Sequence, residues 1–262
     1  DPDRSFRWLV IAVFALLAVA NYLPALTGKV PFPRDIVLQF PAWNGMARSE
    51  AWQPYADIGD LAAAFYPARA FAARAVREGS LPLWNPYSMS GFPVIADPEA
   101  QIFYPPNWLF VLTDFFSPLP YKLVEAQLIG HFFLAGLFMY GLARDFTKNT
   151  VAALLAGVLF MSSGGMVAHT EHLASVEAMA WYPLVFLLAR RGLLEKKWYW
   201  TISAGFFLGV ENLTGHWQHA VYLGLLLFLY FAYEACLGPD RRRLWPHWIT
   251  HLLAIGVIGA SF

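Results

Sequence analysis

The chain has 262 residues, 58% of them hydrophobic and 17% aromatic, while only 14% are charged. A soluble domain carries about a quarter charged residues, and the deficit here is gathered in apolar runs long enough to cross a bilayer, so the composition indicates a polytopic membrane protein. Eighteen basic residues balance 18 acidic ones, which leaves no electrostatic footprint for a nucleic-acid partner, and the single cysteine, Cys236, excludes an internal disulfide and a Cys-based metal centre.

In chain order, apolar runs predict helices at about 8–26, 123–143, 151–167, 174–189, 199–213 and 219–237, with a further one begun near Trp248. The first run, WLVIAVFALLAVANYLPAL, follows Arg4 and Arg7. Its apolar core is longer than a signal-peptide h-region and no small-x-small cleavage site follows, which favours an uncleaved first span. The expected fold class is an all-α polytopic membrane protein of about seven transmembrane helices, the seventh cut short at Phe262. On this reading the chain is the N-terminal part of a longer protein whose C-terminal portion is missing.

The short loops set the orientation. Arg144 and Lys148 follow the second run, Arg190, Arg191, Lys196 and Lys197 the fourth, and Arg241, Arg242 and Arg243 the sixth. With Arg4 and Arg7 they fall on one side, which the positive-inside rule makes cytoplasmic. The expected location is the bacterial cytoplasmic membrane, with the N-terminus inside. The turns at 168–173 and 214–218 hold no Lys or Arg and face outward, as does the long first loop, about 28–120. Within it, 60–77 (DLAAAFYPARAFAARAVR) places Leu61, Phe65, Ala68, Ala72 and Val76 on one helical stripe with Arg74 and Arg77 opposite, the pattern of an interfacial helix that Pro67 kinks or divides. Residues 79–110, rich in Pro, Gly, Trp and Tyr, suit ordered turns at headgroup level.

Ionisable residues collect on the outward side. His169 and His172, spaced three apart beside Glu171, share a face if helical and suit one metal ion or one phosphate; the alternative is that they cap helix ends. His216, Gln218 and His219 form a second such turn. Glu177 and Glu211, in or near spans, are expected to have a partner or a role, and His131 is expected to bond to a neighbouring helix. Asp60 suits an N-cap of the interfacial helix, and Asp35 either a reactive carboxylate or a turn residue paired with Arg34. Asp97 and Glu99 read as turn formers, with metal ligands as the alternative. Arg69, Arg74 and Arg77 suit a lipid phosphate or a surface meeting headgroups. No HExxH, Walker or GxSxG motif is present.

The stretch GSLPLWNPYSMSGFPVIADPEAQIFYPPNWLF (79–110) closely resembles the first extracytoplasmic loop of the YfhO-like family of bacterial membrane proteins, within the GT-C class of polytopic glycosyltransferases. RDIVLQFPAW (34–43), FYPAR after Asp60, HFFLAGLFMYGLAR (131–144), AHTEH, AWYPL and TGHWQHAVY (214–222) extend the resemblance over nearly the whole chain. Trp217 stands where the family often has proline. The resemblance implies a GT-C-like module over residues 1–262 that moves a sugar from a polyprenyl-phosphate donor to a lipid or cell-envelope acceptor on the outer face. It implies catalytic roles for Asp35 and Asp60. Substrate contacts are then expected from His169, Glu171, His172, His216, Gln218, Arg69, Trp84 and Asn85. A divalent metal ion is a possible cofactor, with Asp35, Asp60 and His169 as candidate ligands. Expected partners are membrane lipids and the polyprenyl-phosphate donor. The competing readings are a non-catalytic subunit of a larger membrane complex that keeps the scaffold, and a transporter; against the latter, the ionisable residues gather at the outer ends and not at the midplane.

Overall fold

The computed structural model describes residues 2–20, 22–23, 59–116 and 118–262, with side chains from Trp8 onward. Asp35 and its segment 34–43 lie outside the described residues. The helices are α1 (Pro2–Ala20), α2 (Tyr66–Arg77), α3 (Trp108–Asp114), α4 (Tyr121–Thr147), α5 (Thr150–Met161), α6 (Gly164–Ala168), α7 (Leu173–Glu195), α8 (Trp198–Asn212), α9 (Trp217–Cys236), α10 (Arg241–Leu244) and α11 (Trp248–Ala260). No strand occurs among the described residues; one antiparallel bridge joins Asn85 to Phe92.

This is an all-α membrane protein. Among the described residues four segments are long and apolar enough to cross a bilayer: α4, α5 continued through α6 to Ala168, α7 and α9. The described parts of the remaining apolar runs are helical but shorter. In α7, 72% of the apolar window is buried inside the protein, against 33% or less in the other three, so α7 is the central post of the bundle. It packs against α4, α8 and α9, while α4 also holds α1 and α5, and α8 holds α11. Exposed Leu155 and Leu159 on α5, Val221, Leu225 and Leu229 on α9, and Leu253 and Val257 on α11 form an outer apolar surface suited to acyl chains.

Two core clusters meet along α7. One, around Phe14, Leu61, Phe65, Leu128, Phe132 and Met161, joins α1, the loop and the outer half of the bundle. The other, around Val185, Leu193, Leu208, Leu227 and Phe231, joins α7 to α8, α9 and α11. Glycines permit the closest crossing. A Cβ on Gly157 would lie 2.5 Å from Phe14 Cζ and 2.7 Å from the Gly136 carbonyl oxygen. Small residues at such crossings let membrane helices approach. Gly157→Ala must therefore push α5 away from α4, and a loss of about 1–3 kcal/mol is expected from the overpacking, read as a lowered unfolding temperature in detergent.

The loop helix follows its sequence pattern closely. Leu61–Phe65 forms a π-helical turn that runs directly into α2, with Pro67 in the first turn of α2, where its missing N–H is tolerated. The buried stripe is Leu61, Phe65, Arg69 and Ala72. Arg69 thus takes the place on the stripe that the sequence reading gave to Ala68, and a cation faces the core.

Candidate functional site

Arg69 is where the first loop is fastened to the bundle. Its Nη2 donates to the Gln101 side-chain oxygen and lies 3.3 Å from Glu177 Oε1 on α7, with both side chains at most 2% exposed. Burial lowers the Arg69 pKa and the neighbouring Glu177 raises it. Two further amides meet the same carboxylate: Gln101 Nε2 donates at 2.6 Å and Gln127 Nε2, from α4, at 2.7 Å. Gln101 Nε2 also donates to the Thr214 carbonyl at 2.7 Å, and Asn107 Nδ2 to the Gln101 carbonyl at 2.9 Å. A buried charge persists only when paired and hydrogen-bonded, and Glu177 has both.

The backbone is bent to make this arrangement. Gln101 is left-handed, with φ 54° and ψ 37°, immediately after the Pro98–Ala100 turn. That conformation costs a residue with a Cβ roughly 1–2 kcal/mol, and here it delivers the amide into the cluster. A second chain of bonds runs beside the first. Trp181 Nε1 donates to Tyr104 Oη at 2.9 Å, Tyr104 Oη meets His131 Nε2 at 2.6 Å, and His131 Nδ1 faces the Gln127 carbonyl at 2.8 Å. With Nδ1 as donor, His131 Nε2 accepts from the tyrosine. The partner of His131 is therefore a loop residue, not the neighbouring helix expected from sequence. Glu211 is 1% exposed, and neither of its carboxylate oxygens has a hydrogen-bond partner among the described residues.

Above this sealed layer the candidate acids and histidines form an accessible mouth. Asp60 Oδ2 lies 3.0 Å from His172 Nε2, and both side chains are partly exposed. Asp60 makes no side-chain capping bond, so of its two readings the cap is not used. Glu171 is beside it, its carboxyl pushed up to about 7 by burial and by the charge of Asp60, against a hydrogen bond from the Leu61 backbone. His169 and His172 are in a turn and not on a helix; their ring centroids are 5.9 Å apart, and His169 Nδ1 contacts the Gly165 carbonyl at 2.8 Å.

The second turn leans on the loop. His216 Nδ1 is 3.3 Å from Glu99 Oε1, and His219 meets the Tyr182 hydroxyl at 2.8 Å. Gln218 donates to Tyr222 within its own helix. His169 and His216 both lie within electrostatic reach of His219, so the two turns line one face. Asp97 accepts from the Glu99 backbone at 3.0 Å and is a turn former, as expected, whereas Glu99 reaches across to His216. Gly215, at φ 82°, seats the turn: a Cβ there would stand 2.0 Å from the Pro98 carbonyl oxygen. Gly215→Ala is expected to lever the turn off the loop. Proteolysis between residues 96 and 104 should then quicken while the apolar bundle stays folded.

Trp84 and Asn85 stand apart from this mouth. Asn85 closes its own loop, exchanging backbone bonds with Phe92 at 2.8 and 2.9 Å while its side chain accepts from Tyr87 N. Trp84 covers Gly91 and lines a groove of about 580 Å³ with Arg74, Glu78 and Tyr87. Arg77 is tied to Asp114 at 3.0 Å. Among the described residues no group of three or more His, Cys, Asp or Glu side chains is placed to hold a metal ion. Sequence reasoning passed over Gln101, Tyr104, Asn107 and Gln127, which carry the buried cluster with Arg69 and Glu177. Comparisons with known protein families, with curated proteins and with solved structures find no match to the chain.

Proposed function

We propose that the chain is the GT-C-like module of a YfhO-like glycosyltransferase, moving a sugar from a polyprenyl-phosphate donor to a lipid or cell-envelope acceptor at the outer face of the bacterial inner membrane. On this reading α1, α4, α5 with α6, α7, α8, α9 and α11 are seven crossings with the N-terminus inside. The single observation that carries the proposal is the mouth formed by Asp60, His172 and Glu171. It brings two carboxylates of unlike setting together, one 3.0 Å from an imidazole nitrogen and one raised to about 7, the pattern that separates base from acid in one site.

In the proposed step the acceptor hydroxyl oxygen attacks the anomeric carbon and gives its proton to Asp60 or Asp35. The anomeric C–O bond breaks, and its electron pair leaves with the polyprenyl phosphate. Neutral Glu171 would donate a hydrogen bond to a phosphate or sugar oxygen, and His169, His172 and His216, each with one ring nitrogen already turned to a protein oxygen, would donate from the other nitrogen as imidazolium. Arg69, buried against Glu177, positions the loop and does not reach the donor. A second reading, a non-catalytic subunit of a larger membrane complex, is favoured by that same sealed Arg69–Glu177 cluster, which serves a scaffold equally well.

The test is sugar transfer to endogenous envelope acceptors in membranes carrying wild type, Asp35→Asn, Asp60→Asn or His169→Ala at matched insertion. The transferase reading expects transfer by wild type and its loss in at least one aspartate variant. Identical behaviour of all four, with stoichiometric co-purification of a fixed partner, would select the scaffold reading.

A further inference from the structure

The opposite end of the bundle carries a second constellation that the proposed chemistry does not use. Where α4 and α7 end side by side, Asp145 is surrounded by cations. Arg190 Nη1 bonds it directly, Arg191 Nη2 lies at 3.1 Å and Lys148 Nζ at 3.7 Å. Arg144, the neighbour of Asp145, has no side-chain partner among the described residues. Three cations thus face one carboxylate, and Arg144 lines the same cleft. Of the other acids on these helices, Glu195 is engaged by Lys197 at 3.0 Å, and Glu234 lies toward Tyr230 on α9.

The cations are held in place. Arg190 stacks on Phe146 at 4.3 Å and Arg191 on Trp200 at 5.2 Å, so Asp145 and the rings fix two guanidinium groups, while Arg144 and the more loosely held Lys148, 3.7 Å from Asp145, can turn to an outside anion. Between them opens a cleft of about 390 Å³ lined by Arg144, Asp145, Lys148 and Arg191 at its mouth and by Tyr140 and Leu187 one turn deeper. At Gly141 the helices nearly touch, a Cβ there standing 3.6 Å from Leu187 Cδ2. A basic rim continuous with an apolar wall at the end of two membrane helices matches a headgroup phosphate with its acyl chains below, and gives a soluble anion no use for the wall.

We propose that this cleft binds the phosphate headgroup of an anionic phospholipid, with Arg144 and Lys148 as the ligating cations. The site stands independently of the transferase reading. The test is thermal unfolding of the purified chain in a neutral detergent with added phosphatidylglycerol, phosphatidylcholine or inorganic phosphate. Phosphatidylglycerol is expected to raise the midpoint by several degrees, and the other two to leave it in place. Arg144→Gln/Lys148→Gln, which spares the Asp145 bonds to Arg190 and Arg191, should lose more than half of that rise; Lys148→Gln alone should lose part. Arg241→Gln/Arg242→Gln/Arg243→Gln, on the same side but outside the cleft, should keep it. Three outcomes overturn the site: a full response in the double variant, an equal response to phosphatidylcholine, or an equal response to inorganic phosphate.

Discussion

Arg69→Ala is expected to destabilise the protein by about 3–5 kcal/mol, because it leaves the Glu177 carboxylate buried without its cation. In a chain of this size that corresponds to an unfolding midpoint lowered by on the order of 10 °C, read from heat denaturation in detergent. The two amides that remain, Gln101 and Gln127, still donate to Glu177 at 2.6 and 2.7 Å, but neither supplies charge. Glu177→Gln should also be costly, since it strands a guanidinium whose Nε and Nη1 already have no hydrogen-bond partner. Arg69→Met/Glu177→Gln removes both charges while keeping an acceptor for the amides, and should be more stable than Arg69→Ala. The non-additivity of this cycle is the signature of a buried pair. Two single variants close to wild type would show that the loop is fastened elsewhere.

How much of this was legible in the sequence depended on whether a local rule governed the residue. The helices follow from apolar period and turn chemistry: Asn149 caps α5 through Val151 and Ala152, at 2.9 and 3.1 Å, and the described residues of each predicted apolar run are mainly helical. Glu177 was legible as an ionisable residue in an apolar helix. Arg69 offered a signal that went unread. It stands four residues after Phe65 and three before Ala72, so it interrupts an apolar stripe on the buried side, and an interrupted stripe is how a buried cation looks in sequence.

Gln101 offered none. Its role rests on a left-handed backbone that Asn or Gly would advertise and glutamine does not, and its partners come from segments 32, 76 and 113 residues away. The same holds for Asp60. Proximity to a helix start made capping plausible, and only the tertiary approach of the 169–172 turn gives its side chain an imidazole instead. Local rules fix the posts of the bundle; the polar layer between loop and posts is written in contacts distant along the chain.

Asp60→Asn is expected to lower sugar transfer by about 10²–10⁴-fold if Asp60 is the base, the usual contribution of a positioned proton acceptor. The role of Glu171 is separable by pH. Its carboxyl, ordinarily near 4.5, is held at about 7 by burial first and by Asp60 second. Between those values the folded protein keeps a proton that the unfolded chain has lost. Stability therefore falls as pH rises from about 4.5 to about 7 and levels off above. Activity should follow the same ionisation. Below about 7 neutral Glu171 donates a hydrogen bond to the donor phosphate, whereas above it a second carboxylate stands beside Asp60 and repels that phosphate. Transfer is expected to decline as pH rises through about 7, and Glu171→Gln, neutral at every pH and still a donor, should abolish the decline while preserving the rate on the acid side. A decline that survives in Glu171→Gln would assign the ionisation to another group. Asp60→Asn adds the decisive coupling: it removes the charge that helps hold Glu171 up, so whatever transfer it retains should lose activity at a lower pH than wild type.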